Sequence, residues 1–158
     1  MIDDATTELI RRYQAGVGLI DAALAMLSDA DLDRSDAGGW TARMVVHHLA
    51  DSETNAYVRL RRLLAESSGT TILGYDEERW AACAPLGYTT EPIDDSVAVL
   101  RAVRAASARV LTRMAEDDFD REGVHTESGR YTVRDWLNIY ARHAEEHAEQ
   151  ILKASGRS

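Results

Sequence analysis

Apolar residues recur every three or four positions in four long stretches of the chain, the period of a helix with one buried face. In the first, Leu9, Tyr13, Val17, Ile20, Leu24 and Leu27 share one stripe, which predicts a helix from about Asp3 to Leu27. "SDAGGWT" interrupts the pattern, with Gly38 and Gly39 as punctuation and Thr41 placed to cap the next helix. The second stripe, Val45, Leu49, Ala56 and Leu63, predicts a helix from about Ala42 to Glu66. The third runs from about Asp94 to Glu116 on Leu100, Val103, Leu111 and Met114. The fourth begins at Thr132, whose acidic neighbour Asp135 sits at capping-box spacing, and ends near Ala154 before Gly156.

Between these stretches the pattern lapses. "SSGTTILGY" reads as a loop, "DEERWAAC" as a short helix or turn, and "DDFDREGVHTESGRY" as a polar connection over one end of the helices. No internal repeat or low-complexity tract appears. The expectation is an all-α four-helix bundle in one domain, residues 1–158, with a short extra helix between the second and third long ones.

Composition narrows the class. The 158 residues are 45% hydrophobic and 28% charged, enough apolar matter for a core without staples. A single cysteine, Cys83, excludes an intrachain disulfide framework. The start "MIDDATTELIRR" lacks the basic-then-apolar order of a signal peptide, and no stretch approaches the roughly 18 apolar residues of a membrane helix, so a cytoplasmic protein without a membrane partner is expected. The formal charge of −9 repels a phosphate backbone, and the basic run "RLRRLL" reads as an amphipathic helix end, so no nucleic-acid partner is expected.

The fourth helix changes the picture. On a wheel of about 100° per residue, Val133, Trp136, Leu137, Tyr140, Ala144, Ala148 and Ile151 form the apolar arc, and His143 and His147 fall on its side. Arg142, Glu145, Glu146 and Glu149 face the other way. On the second helix His48 lies at the edge of the buried stripe, in line with Ser52, Asn55 and Arg59, whereas its neighbour His47 points away. Such a polar seam beside a core is costly to bury without a purpose. Three imidazoles from two helices can thus converge in the bundle, as metal sites in helix bundles do, leaving coordination positions for water or substrate. Histidine pairs at this spacing also arise by chance, and buried histidines are often simply hydrogen-bonded, so a bundle with metal-free, satisfied histidines is the competing reading.

The stretches "GWTARMVVHHLADSETNAYVR", "GYDEERWA", "EPIDDSVAVL", "FDREGVHTESGRYTV" and "LNIYARHAEEHAEQI" together resemble the DinB/YfiT-like metalloprotein superfamily, closest to the YfiT-like subgroup that includes bacillithiol S-transferases. The resemblance implies up-down-down-up connectivity and one divalent ion held by three histidines. Its H-[apolar]-x-D motif falls on His48 to Asp51, and its H-x-x-x-H-x-x-[HQ]-I motif on His143, His147, Gln150 and Ile151. Where transferase-like relatives often carry tryptophan and histidine, this chain has Arg142 and Glu146. The implied ion is zinc or nickel first, with iron or manganese behind. The implied chemistry is transfer of a small thiol, of the mycothiol or bacillithiol type, to an electrophile, in a protein that can be a homodimer. A non-enzymatic metal-binding stress protein and a metal-dependent hydrolase or isomerase on the same histidines are the alternatives.

Other residues are weighed against this site. Asp51 is either a support for a ligand imidazole or a surface carboxylate, and Asn55 and Arg59 are candidates for the pocket wall, with Arg59 also readable as a snorkelling side chain. Cys83 has no histidine or positive partner in "WAACAPL", so a nucleophile role is not expected of it. His125 reads as a loop histidine, and Trp40, Trp80 and Trp136 as packing residues.

Overall fold

A computed structural model describes residues 2–35 and 39–157, so Gly38, expected as a helix stop, lies outside the described residues. Helices α1 (Asp4–Ala25), α3 (Ala42–Ala65), α5 (Asp94–Leu111) and α6 (Val133–Ala154) are the four long elements, and α2 (Asp29–Leu32) and α4 (Glu77–Ala82) are short. Three of the long ones, α1, α3 and α6, begin at residues whose side chains satisfy a helix's free amides. Asp3 accepts from Thr6 at α1, and Thr41 accepts from Met44 at α3. Thr132 and Asp135 form a reciprocal capping box at α6. Past α6, Gly156 takes the left-handed φ of +78° that ends helices.

Around the bundle, α1 packs against α6 and α5, and α3 packs against the same two helices, so α1 and α3 lie across a diagonal. The third long helix stops at Leu111, five residues before the expected end. A 3₁₀ turn at Glu116–Asp120 comes next, and it buries Phe119.

The two segments read from sequence as loops are corrected by the structure. Strands β1 (Thr70–Ile72), β2 (Glu122–His125) and β3 (Gly129–Thr132) form one small sheet, with β1 parallel and β3 antiparallel to β2. Strands this short carry almost no period, and Thr70 pairs with Gly123 far along the chain, so local sequence does not disclose them. The sheet closes one end of the bundle, adding Ile72 and Tyr131 to its core.

That core has two apolar clusters. One gathers Tyr13, Leu60, Leu111, Trp136 and Leu137 near the sheet; the other gathers Ile20, Val45, Leu49, Leu100 and Ile151. Between them along the helices come Gly16, Ser52, Glu53, Arg104 and His143, a polar belt across a hydrophobic interior. No helix among the described residues is long and apolar enough to cross a membrane.

Candidate metal centre

Helical rotation decides which histidines meet. His143 and His147 stand one turn apart on the inner face of α6, and His48 faces them from α3. One nitrogen from each of the three lies within 4.8 Å of the others. The outer ring nitrogens fix the tautomers of the α6 pair. His143 Nδ1 lies 3.2 Å from Glu53 Oε1, and His147 Nδ1 lies 2.7 Å from Gln150 Oε1. Both acceptors are oxygens, so each Nδ1 carries the hydrogen and each Nε2 keeps a lone pair.

Those two Nε2 atoms are 3.2 Å apart. Two lone pairs at that distance repel unless a cation lies between them. A zinc–nitrogen bond of about 2.0–2.1 Å in tetrahedral geometry sets neighbouring nitrogens about 3.3 Å apart, so the pair fits one edge of a coordination sphere. Burial, followed by mutual repulsion with the other two imidazoles, lowers the pKa of His48 to about 3. Burial, followed by His143, lowers that of His147 to about 4, against a partial rise from Gln150. Near neutral pH both rings are uncharged and free to coordinate.

Residues 12–151 match the DinB superfamily. The chain belongs to that superfamily. An Oceanobacillus iheyensis relative of this DinB chain, named "Putative metal-dependent hydrolase OB0782", is 36% identical over 126 residues, covering 79% of the chain and 71% of that protein. A Bacillus cereus relative named "Putative metal-dependent hydrolase" is 33% identical over 114 residues, covering 72% of the chain and 64% of that protein. YfiT from Bacillus subtilis, a solved structure described as "a probable metal-dependent hydrolase with an unusual four-helix bundle topology", superposes with a TM-score of 0.87 at 28% identity, over 100% of this chain and 92% of that one.

Two cavities flank the histidines of the DinB bundle. One, about 230 Å³, opens beside His143 between Ser52, Arg59, Tyr75, His125 and Tyr140. The other, about 320 Å³, meets His48 and His147 beneath Trp40. Glu77 on α4 borders both. Partial desolvation raises its carboxyl pKa, with His143 and Arg59 pulling it back down. Ser52 Oγ sits 3.3 Å from His143 Nε2, and the Tyr75 hydroxyl 3.5 Å from His48 Nδ1, so hydroxyls border two of the three imidazoles.

The side chains singled out from sequence sort themselves by geometry. Arg59 lines the first cavity, donating to the Leu73 carbonyl at 2.6 Å and to the Tyr140 hydroxyl at 3.0 Å. Asp51 touches none of the three histidines; it accepts from the Tyr88 hydroxyl at 2.7 Å. Asn55 donates to the Asp51 carbonyl one turn back and borders neither of the two cavities. His47 is apart from the cluster yet buried, bonding Ser96 Oγ at 2.8 Å and facing the Glu91 carbonyl. His125 is no loop histidine: it lies on β2, buried, in the wall of the first cavity. Cys83 is exposed at the end of α4, and Trp40 packs edge-on to His48. Sequence reasoning missed Glu53 and Tyr75. Glu53 left a signal, since it interrupts the spacing of Leu49, Ala56 and Leu60 with a charge.

Proposed function

We propose that this DinB-superfamily protein is a metal-dependent enzyme that transfers a low-molecular-weight thiol, of the mycothiol or bacillithiol type, to an electrophile. One observation carries the reading: two imidazole lone pairs 3.2 Å apart, with a third imidazole alongside, open onto cavities lined by polar side chains. A divalent ion at such nitrogens lowers the pKa of a coordinated thiol or water. Glu53 and Gln150 keep the ligand rings in the coordinating tautomer. Arg59 offers a guanidinium at the cavity for an acidic group on the thiol cosubstrate. Ser52, Tyr75 and Tyr140 place hydroxyls where charge on a sulfur or oxygen would need donors.

Hydrolysis at the same nitrogens is the second reading, favoured by the names of the Oceanobacillus and Bacillus relatives. In it a water takes the place of the thiol. The two part in one assay. Untagged protein reconstituted with zinc or nickel is given an electrophilic dye with and without a cysteine-based cellular thiol, and in parallel a panel of esters and amides. Thiol-dependent conjugation that a chelator abolishes supports transfer. Chelator-sensitive ester or amide cleavage with no thiol dependence replaces it with hydrolysis.

A further inference from the structure

The polar belt between the two apolar clusters contains a charge pair that the metal ligands alone do not account for. Arg104 on α5 and Glu53 on α3 are 2% and 1% exposed, and Arg104 Nη1 donates to Glu53 Oε1 at 2.5 Å. The same Oε1 lies 3.2 Å from His143 Nδ1, so one oxygen joins the guanidinium to a ligand ring. Arg104 is itself held from three sides. Its Nη2 donates to the Tyr13 carbonyl of α1 at 2.6 Å, its Nη1 reaches the Tyr140 carbonyl of α6 at 3.3 Å, and its guanidinium lies 4.0 Å over the Tyr13 ring. Room for it comes from Gly16, where a Cβ would stand 2.6 Å from Nη2 and 2.7 Å from the Ala144 Cβ.

A buried ion pair of this kind is no more stabilising than apolar residues of the same volume, because both charges leave water. Its geometry does give something packing cannot: a fixed hydrogen-bond acceptor at a set point against the His143 ring. We infer that Arg104 is a positioning residue for the metal centre, acting through Glu53 to hold His143 with its hydrogen on Nδ1 and its Nε2 lone pair turned inward. This rests on the three-histidine metal reading. It extends the support of the site from the two helices that carry the ligands to α5 and α1, which carry none.

The rival is a strut, in which Arg104 merely ties the Tyr13 and Tyr140 carbonyls together. Three variants separate the two: Arg104→Met, Glu53→Gln, and both together, each checked for folding by circular dichroism. Zinc affinity is read by competition with a chromophoric chelator, and the His143 tautomer by ¹⁵N NMR of the metal-free protein. If Arg104 acts through Glu53, Arg104→Met weakens zinc binding about 10–100-fold, as loss of support around a ligand does, and His143 moves toward the Nε2–H form. Adding Glu53→Gln then restores most of the affinity, because the amide oxygen is an acceptor that needs no counter-charge. Unchanged affinity in Arg104→Met, or a double variant no better than that single one, overturns the inference. Should Arg104→Met alone not fold, Glu53→Gln and the double variant must bind zinc equally, and a further tenfold loss in the double variant counts against it. Wild-type protein that binds neither zinc nor nickel removes the metal reading instead, and the metal-free tautomer still tests the Arg104–Glu53–His143 contact.

Discussion

A helix turns about 100° per residue, and at the residue scale that rotation decides who serves the site. His47 and His48 are neighbours in sequence, yet one faces Ser96 and the other faces the α6 histidines. Asp51 and Glu53 are two apart, and it is Glu53 that reaches His143 while Asp51 meets Tyr88. Which histidines meet was legible, because 3.6-residue periodicity fixes their face. The Glu53 partner of His143 was not, because it depends on side-chain reach across a helix interface. His147→Ala removes a lone pair from the 3.2 Å edge and leaves the fold. Wild-type protein purified without a tag is expected to hold metal by elemental analysis and to melt lower once a chelator is added. A ligand at 100 times its Kd adds about 2.7 kcal/mol, so the difference is easily seen. His147→Ala is expected to hold little metal and to melt at the same temperature with or without chelator. A chelator effect that persists undiminished in the variant would place the ion elsewhere.

Among the elements, the long helices could be drawn from sequence and the sheet could not. Four stripes of apolar residues and the Thr132–Asp135 cap mark their helices locally. The pairing of β1 with β2 exists only once the chain has folded back on itself. Yet the sheet shapes the site, since β2 carries His125 and the Leu73 carbonyl just past β1 holds Arg59. Gly123 sets how close the two strands can run: a Cβ there would lie 2.6 Å from the Thr70 carbonyl oxygen, which belongs to the backbone and cannot swing aside. Gly123→Ala is therefore expected to destabilise by about 1–3 kcal/mol, the usual range for an overpacked site. It should leave metal affinity nearly unchanged, since the three histidines stand on α3 and α6 and not on the sheet. Urea unfolding and metal titration on the same preparation measure both. A variant of wild-type stability would show that β1 is free to shift.

For the molecule as a whole, the desolvated rings of His48 and His147 make stability a function of pH. An unfolded histidine takes up a proton near its ordinary value of about 6.5. In the folded, metal-free protein His48 does so only near 3 and His147 only near 4, mainly because burial opposes the charged ring. Between these values the unfolded chain binds more protons than the folded one. Stability is therefore fully present above about 6.5 and drains away as pH falls through the window. The fall should begin above the range in which most carboxylates titrate, which separates it from ordinary acid unfolding. Melting temperatures of chelator-treated protein are expected to hold from pH 7.5 to about 6.5 and then drop steadily to pH 5, and His48→Gln/His147→Gln to flatten that drop. A flat wild-type profile would mean that the folded rings accept protons as readily as unfolded ones. Such rings would sit in a wetter interior than the one between α3 and α6, and their charges would compete directly with any cation for the space between His143 and His147.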